Sequence, residues 1–264
     1  MTWWIRAYLA FAAAQGFGIG LTGLLSPADI EIPLRITPLN ARFVGALYVA
    51  GGVGVLWGAF SQRRTQARLF VVAFAFATAL ILAVTLLHRS DFLAVGLPHQ
   101  PVWMFDYIVD PLLGLAVIHF ARLWPPWSTQ RHALTPLLLG QAVVFGVLGL
   151  ALLVAPDTMA ALWPWALPPV LGQVYGCFFL TFALGAGLAA GEVEPRAIRG
   201  FVLSSLTLMG LVLLASWLHV DRFKAEPVSV AWFAAFGLGF LVFAGLLAFG
   251  WRLVRVPPAQ LAAR

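Results

Sequence analysis

The stretch WMFDYIVDP (103–111) sets two carboxylates, Asp106 and Asp110, four residues apart. On a helix that spacing places both on one face. Tyr107 stands between them, and Pro111 removes a backbone donor just beyond. Arg42, Tyr48, His88 and His219 are the other polar side chains set against long apolar runs. An arginine facing two carboxylates can hold a charged ligand, or the three can neutralise one another and lock helices together. A histidine in such a place can bond a small molecule or ligate a metal. These seven residues, Arg42, Tyr48, His88, Asp106, Tyr107, Asp110 and His219, are the candidate ligand-binding set. None is assigned as catalytic or as a metal ligand. No H-x-x-x-H, C-x-x-C, G-x-S-x-G or phosphate-binding glycine loop occurs, so the chain leans away from an enzyme.

The composition says what solvent surrounds these residues. Of 264 residues, 62% are hydrophobic and 10% are charged, against about 25% charged in an average soluble domain. So little polar surface cannot cover a water-soluble globule, and most of the chain is expected to face lipid. The net charge of +6 forms no basic stripe of the kind nucleic acid requires. The single cysteine, Cys177, excludes an intramolecular disulfide.

Eight apolar runs of roughly 20 residues, about the length needed to cross a bilayer, are expected as helices. They fall at about 7–25, 41–60, 68–88, 102–122, 137–155, 170–190, 199–219 and 229–251. The runs are continuous rather than alternating, which favours helices over a barrel. The fold class is therefore all-α, a polytopic integral membrane protein. Of the 16 basic residues, 11 fall at the amino end, in the second, fourth and sixth loops, or at the carboxyl end. Positive charge concentrates on the cytoplasmic side, so both termini are expected in the cytoplasm of a bacterial inner membrane. The amino-terminal run has a single arginine before it and is read as a retained span rather than a cleaved signal. The spacings Gly16-x-x-x-Gly20, Gly54-x-x-x-Gly58 and Gly187-x-x-x-Gly191 are expected to let helices pack closely.

An internal duplication is visible. RLFVVAFAFATALILAVTLLHRSDF (68–92) aligns without a gap on RGFVLSSLTLMGLVLLASWLHVDRF (199–223), pairing Arg68 with Arg199, Phe70 with Phe201, His88 with His219 and Phe92 with Phe223. The same offset pairs Gly45 with Gly176 and Gly54 with Gly185, and the first span of each half ends alike, in LLSP (24–27) and LVAP (153–156). The expectation is two parallel four-helix repeats, 1–130 and 131–264, since an even number of spans sends both halves into the membrane in the same sense. Each half has a proline-rich connection, 26–40 and 155–170, expected at the outer interface with Trp163 and Trp165 at headgroup level.

A four-helix unit with a proline after its first helix, an external connection and NARFVGALY (40–48) opening its second helix resembles the DoxX-like four-helix membrane superfamily. The whole chain looks like two fused units. The second half departs from the motif, reading LGQVYGCFF (171–179), with Gln173 where Arg42 stands. Some members of that superfamily are associated with quinone-linked redox complexes; the resemblance carries over no catalytic residue.

Arg42, Tyr48, His88, Asp106 and Asp110 are expected to gather in an outer-leaflet pocket, with Arg42 either paired to Asp106 or Asp110, holding a ligand, or snorkelling to the headgroups. The positions aligned with the two aspartates, Ala235 and Gly239, carry no charge, and the aligned arginine is missing with them. His88 and His219 either lie separately at the interface or face each other and hold a quinone, a haem iron or a pigment metal. His119 and His132 have no assigned partner. Three functions follow. The first is a non-catalytic bundle that binds a lipid, quinone or pigment or serves as a subunit of a membrane complex. The second is a small-molecule or ion transporter, and the third a quinone- or haem-linked redox protein. Membrane lipids, other membrane subunits or a second copy are the expected partners.

Overall fold

The computed structural model describes residues 1–94, 100–124, 132–225 and 227–249. The boundary between the proposed halves and Arg131, Arg252, Arg255 and Arg264 lie outside these residues. The described chain is helical: α1 (Trp3–Leu25), α2 (Pro38–Ala59), α3 (Arg64–Leu87), α4 (Arg89–Ala94), α5 (Gln100–Phe120), α6 (Thr135–Val154), α7 (Pro156–Leu162), α8 (Pro169–Ala190), α9 (Pro195–Trp217) and α10 (Pro227–Phe249). Eight of these are long and apolar enough to span a bilayer, and α4 and α7 are short helices in connections.

Several helices begin a few residues before the apolar runs do. Pro38, Pro169 and Pro195 occupy the first helical position, where a missing N–H costs nothing and φ is already helical. Thr37 adds a side-chain cap on Asn40 N. Hydropathy marks the hydrocarbon-embedded stretch, whereas the proline marks where the backbone turns helical.

The main packing partners are α1 with α2, α6 with α8, α3 with α5, α9 with α10, α2 with α9 and α3 with α8. The first two contacts are backbone to backbone. A Cβ on Gly45 would lie 2.6 Å from the Gly20 carbonyl oxygen, and one on Gly176 would lie 2.8 Å from that of Gly149. Any side chain there would drive the helices apart. Gly54 and Gly185 instead make room for aromatic rings, those of Phe70 and Phe201 respectively. Gly187, expected to pack, does not: a Cβ there would meet nothing within 4 Å.

Trp163 and Trp165, expected at the outer interface, are covered by protein. They are 2% and 1% exposed, inside an aromatic cluster rather than at a surface. The connection after α7 folds back over the helix ends, so Trp165 meets Trp232 of α10 at 5.0 Å and Phe43 of α2 at 5.3 Å between ring centroids. Its indole N–H donates to Asn40 Oδ1 at 2.7 Å, and the Tyr175 hydroxyl donates to the same oxygen at 3.0 Å. A satisfied indole N–H removes the cost of burying this residue.

Candidate functional site

The seven candidate residues do not form one pocket. They divide into an arginine–histidine contact, a histidine–aspartate contact, a tyrosine pair and an acidic pair.

Arg42, in the first turns of α2, donates from Nε to the Leu24 carbonyl at 3.2 Å and from Nη1 to His219 Nε2 at 2.5 Å. It therefore pairs with neither Asp106 nor Asp110. The glycine contact between α1 and α2 brings the carbonyl end of α1 under Arg42, and α9 packs on its other flank, while α5 lies against α3. Accepting a hydrogen bond at Nε2 requires a neutral imidazole protonated at Nδ1. Burial and the adjacent Arg42 charge accordingly hold the His219 pKa below its usual value. At the aligned position in α8, Gln173 donates from Nε2 to the Leu153 carbonyl at 2.9 Å.

His88 ends α3, where its backbone N–H closes the last turn on Val84 O at 3.0 Å and its Nδ1 lies 3.6 Å from Asp91 Oδ2. The two aligned histidines thus contact different partners rather than each other. Among the described residues no group of three His, Cys, Asp or Glu side chains could hold a metal ion. A polar recess lies beside His219, lined also by Thr37, Trp165, Asp221 and Arg222. His132 turns out to be a tether: its Nε2 lies 3.0 Å from the Ala189 carbonyl, and its Nδ1 accepts from Leu134 N. His119 is exposed, its ring against Phe120.

Tyr48 of α2 and Tyr107 of α5 are buried, with their hydroxyls hydrogen-bonded to each other. They stand at one end of a cavity of about 90 Å³ lined by residues of α1, α2, α3, α5, α8 and α9. The cavity runs from these tyrosines toward the end of the bundle that carries Arg68, past Thr78, Phe70, Thr181 and Ser204. Its hydroxyls are spent on backbone carbonyls: Ser204 on Ala50 at 2.6 Å, Thr78 on Phe74 at 3.0 Å and Thr181 on Cys177 at 2.8 Å. What remains facing the space is apolar. Arg42 and His219 lie at the opposite end of the bundle from the cavity's far reach, because they sit at the start of α2 and beyond the end of α9.

Asp106 and Asp110 share a face of α5 that looks toward α1. Both carboxyls face the side chain of Gln15, and the Tyr8 hydroxyl donates to the Asp110 carbonyl at 3.3 Å. Gly114, one turn further along α5, permits this approach: a Cβ there would lie 2.5 Å from Ala75 Cβ and 2.7 Å from the Tyr8 hydroxyl.

Two further groups were not singled out by sequence. Gln15 sits in a run of small residues and looks unremarkable until α5 arrives against it. Glu192, in the turn after α8, bonds Arg68 Nη2 at 2.6 Å, with side-chain exposures of 4% and 16%. Its other oxygen accepts from Val193 N and Glu194 N. Glu192 and Glu194 are the acidic residues between the sixth and seventh spans, a signal for a partner to the arginines clustered on that side.

No family profile, curated protein or solved structure matches the chain. What defines the molecule is its own architecture, a multi-pass helical membrane bundle with an apolar cavity at its centre.

Proposed function

We propose that the protein is a non-catalytic membrane bundle that holds the apolar part of a lipid- or quinone-type ligand in the central cavity, with the Tyr48–Tyr107 hydroxyl pair at its polar end. The observation that carries this reading is a cavity whose wall hydroxyls are already satisfied by backbone carbonyls. Such a wall offers methyl and ring surface to a ligand and no unpaired donor to water, and cavities of that kind stay dry or take apolar guests. The volume suits a short chain segment or a ring rather than an entire lipid.

The bundle is read as two four-helix repeats with both termini cytoplasmic, in line with the resemblance to the DoxX-like superfamily. Equivalent contacts support the duplication. Arg42 and Gln173 bond the carbonyls of Leu24 and Leu153, and Gly45 and Gly176 meet the carbonyls of Gly20 and Gly149. Trp103 and Trp232 donate to Thr85 and Ser216, and the α2–α9 contact is mirrored by α3–α8. The orientation rests on the arginine distribution.

Gly51 tests the ligand. It lines the cavity, and a Cβ there meets nothing within 4 Å, so Gly51→Leu fills space without an initial clash. Organic extraction of the purified protein followed by mass spectrometry is expected to find a stoichiometric apolar compound in the wild type and a reduced amount in Gly51→Leu. Equal, substoichiometric bulk lipid in both would overturn the reading.

A further inference from the structure

The face between α1 and α5 carries more hydrogen-bond acceptors than donors. Asp110 is 3% exposed, and its Oδ1 is buried without a hydrogen-bond partner among the described residues; the buried Gln15 Oε1 is in the same position. Asp106 is half-buried, one turn nearer the start of α5, and both carboxyls face the same Gln15 side chain. Among the described residues neither carboxyl has a Lys, Arg or His ion-pair partner, since Arg42, the nearest expectation, is spent on Leu24 and His219. Of the neighbouring hydroxyls, Tyr8 donates to the Asp110 carbonyl, and Tyr107 shares one hydrogen bond with Tyr48.

A buried carboxylate without a countercharge is strongly unfavourable, and a buried acceptor without a donor adds to that cost. Both deficits have one remedy, a positively charged guest. The unpartnered atoms, Asp110 Oδ1 and Gln15 Oε1, are both oxygens, which selects hard cations over the metals that prefer sulfur or imidazole. Only Asp110 is fully enclosed, Asp106 being half-buried, so the charge that needs a partner inside the protein is a single one.

We propose that Asp106, Asp110 and Gln15 form a binding site for a monovalent cation, either a proton or an alkali-metal ion, that enters past Asp106 and is held at Asp110. The site has its own walls and does not depend on the apolar ligand. The titratable groups that face Asp110 are Asp106 and Tyr107 on α5, Tyr8 on α1 and, through Tyr107, Tyr48 on α2. Where α5 meets α3, Gly114 faces Ala75.

The test uses the full-length protein in detergent micelles. Thermal unfolding is followed across a pH series at constant ionic strength with choline, sodium or potassium as the sole added cation, for the wild type and Asp110→Asn. An occupied site raises wild-type Tm by on the order of 5 °C, and Asp110→Asn abolishes the increment. An increment that requires sodium or potassium identifies an alkali ion. An increment that appears on acidification in choline identifies a proton. Parallel curves for the two proteins in every salt and at every pH overturn the proposal. Should Asp110→Asn fail to fold, Asp106→Asn carries the same comparison, with a diminished increment expected.

Discussion

Arg42 and His219, 177 positions apart in the chain, meet at 2.5 Å between Nη1 and Nε2. The contact joins the start of α2 to the residues just past the end of α9, and it holds the imidazole neutral. A cation donating to a neutral ring is stable only while the ring stays unprotonated.

That contact predicts a pH dependence of known sign. His219 has a lowered pKa in the fold, so the unfolded chain takes up its proton first. Its contribution is intact above the ordinary histidine value of 6.5 and is lost as the pH falls through that value toward the lower folded one. His219→Gln, which keeps an acceptor, is expected to remove this part of the acid destabilisation. The check is the difference in Tm between wild type and variant, which should widen between neutral pH and pH about 5. His219→Ala is expected to cost about 1.5 kcal/mol at neutral pH, the lower end for a bond to a charged group because the site is partly exposed.

The Arg68–Glu192 pair is nearly enclosed, and Glu192 also accepts two backbone N–H groups. Glu192→Ala strands the guanidinium and both amides, a loss of about 3 kcal/mol. Replacing both members, Arg68→Met with Glu192→Gln, is expected to recover much of that. Thermal denaturation of Arg68→Met, Glu192→Gln and the double variant measures the coupling, and simple additivity would argue against a buried pair.

Glycine substitutions should sort by backbone proximity. Gly45→Ala and Gly176→Ala place a methyl 2.6 and 2.8 Å from a neighbouring carbonyl oxygen, and each is expected to cost about 1–3 kcal/mol through forced separation of the helices. Gly187→Ala meets open space and is expected to be neutral or to stabilise by up to about 1 kcal/mol through helix propensity. Unfolding midpoints in one detergent decide this.

Topology is testable because the native thiol is silent: Cys177 is buried. Arg222→Cys is expected to react with a membrane-impermeant maleimide on intact cells. Arg63→Cys is expected to react only after the membrane is permeabilised. The reverse pattern would invert the orientation read from the arginines.

Hydropathy located all eight spans to within a few residues, because lipid selects apolar side chains one residue at a time and no knowledge of neighbours is needed. The helix starts were missed where Pro38 and Pro195 begin a turn outside the hydrocarbon. The burial of Trp163 and Trp165 was not legible for a different reason. Aromatic residues near a span boundary suit the headgroup region, but a return of the chain over the bundle can enclose them instead.

For the candidate site, the sequence identified Asp106, Asp110, Tyr48 and Tyr107 as polar side chains within apolar runs. It could not choose partners. Arg42 could equally face α5 or α9 until the close glycine contact of α1 with α2 set its rotation, and Gln15 acquired a role only when α5 packed beside it. Composition and periodicity thus determined that this chain is a multi-pass membrane bundle and which of its residues are out of place in lipid. The tertiary structure decided which of those residues meet, because helix rotation and neighbour choice depend on backbone approach between segments distant in sequence.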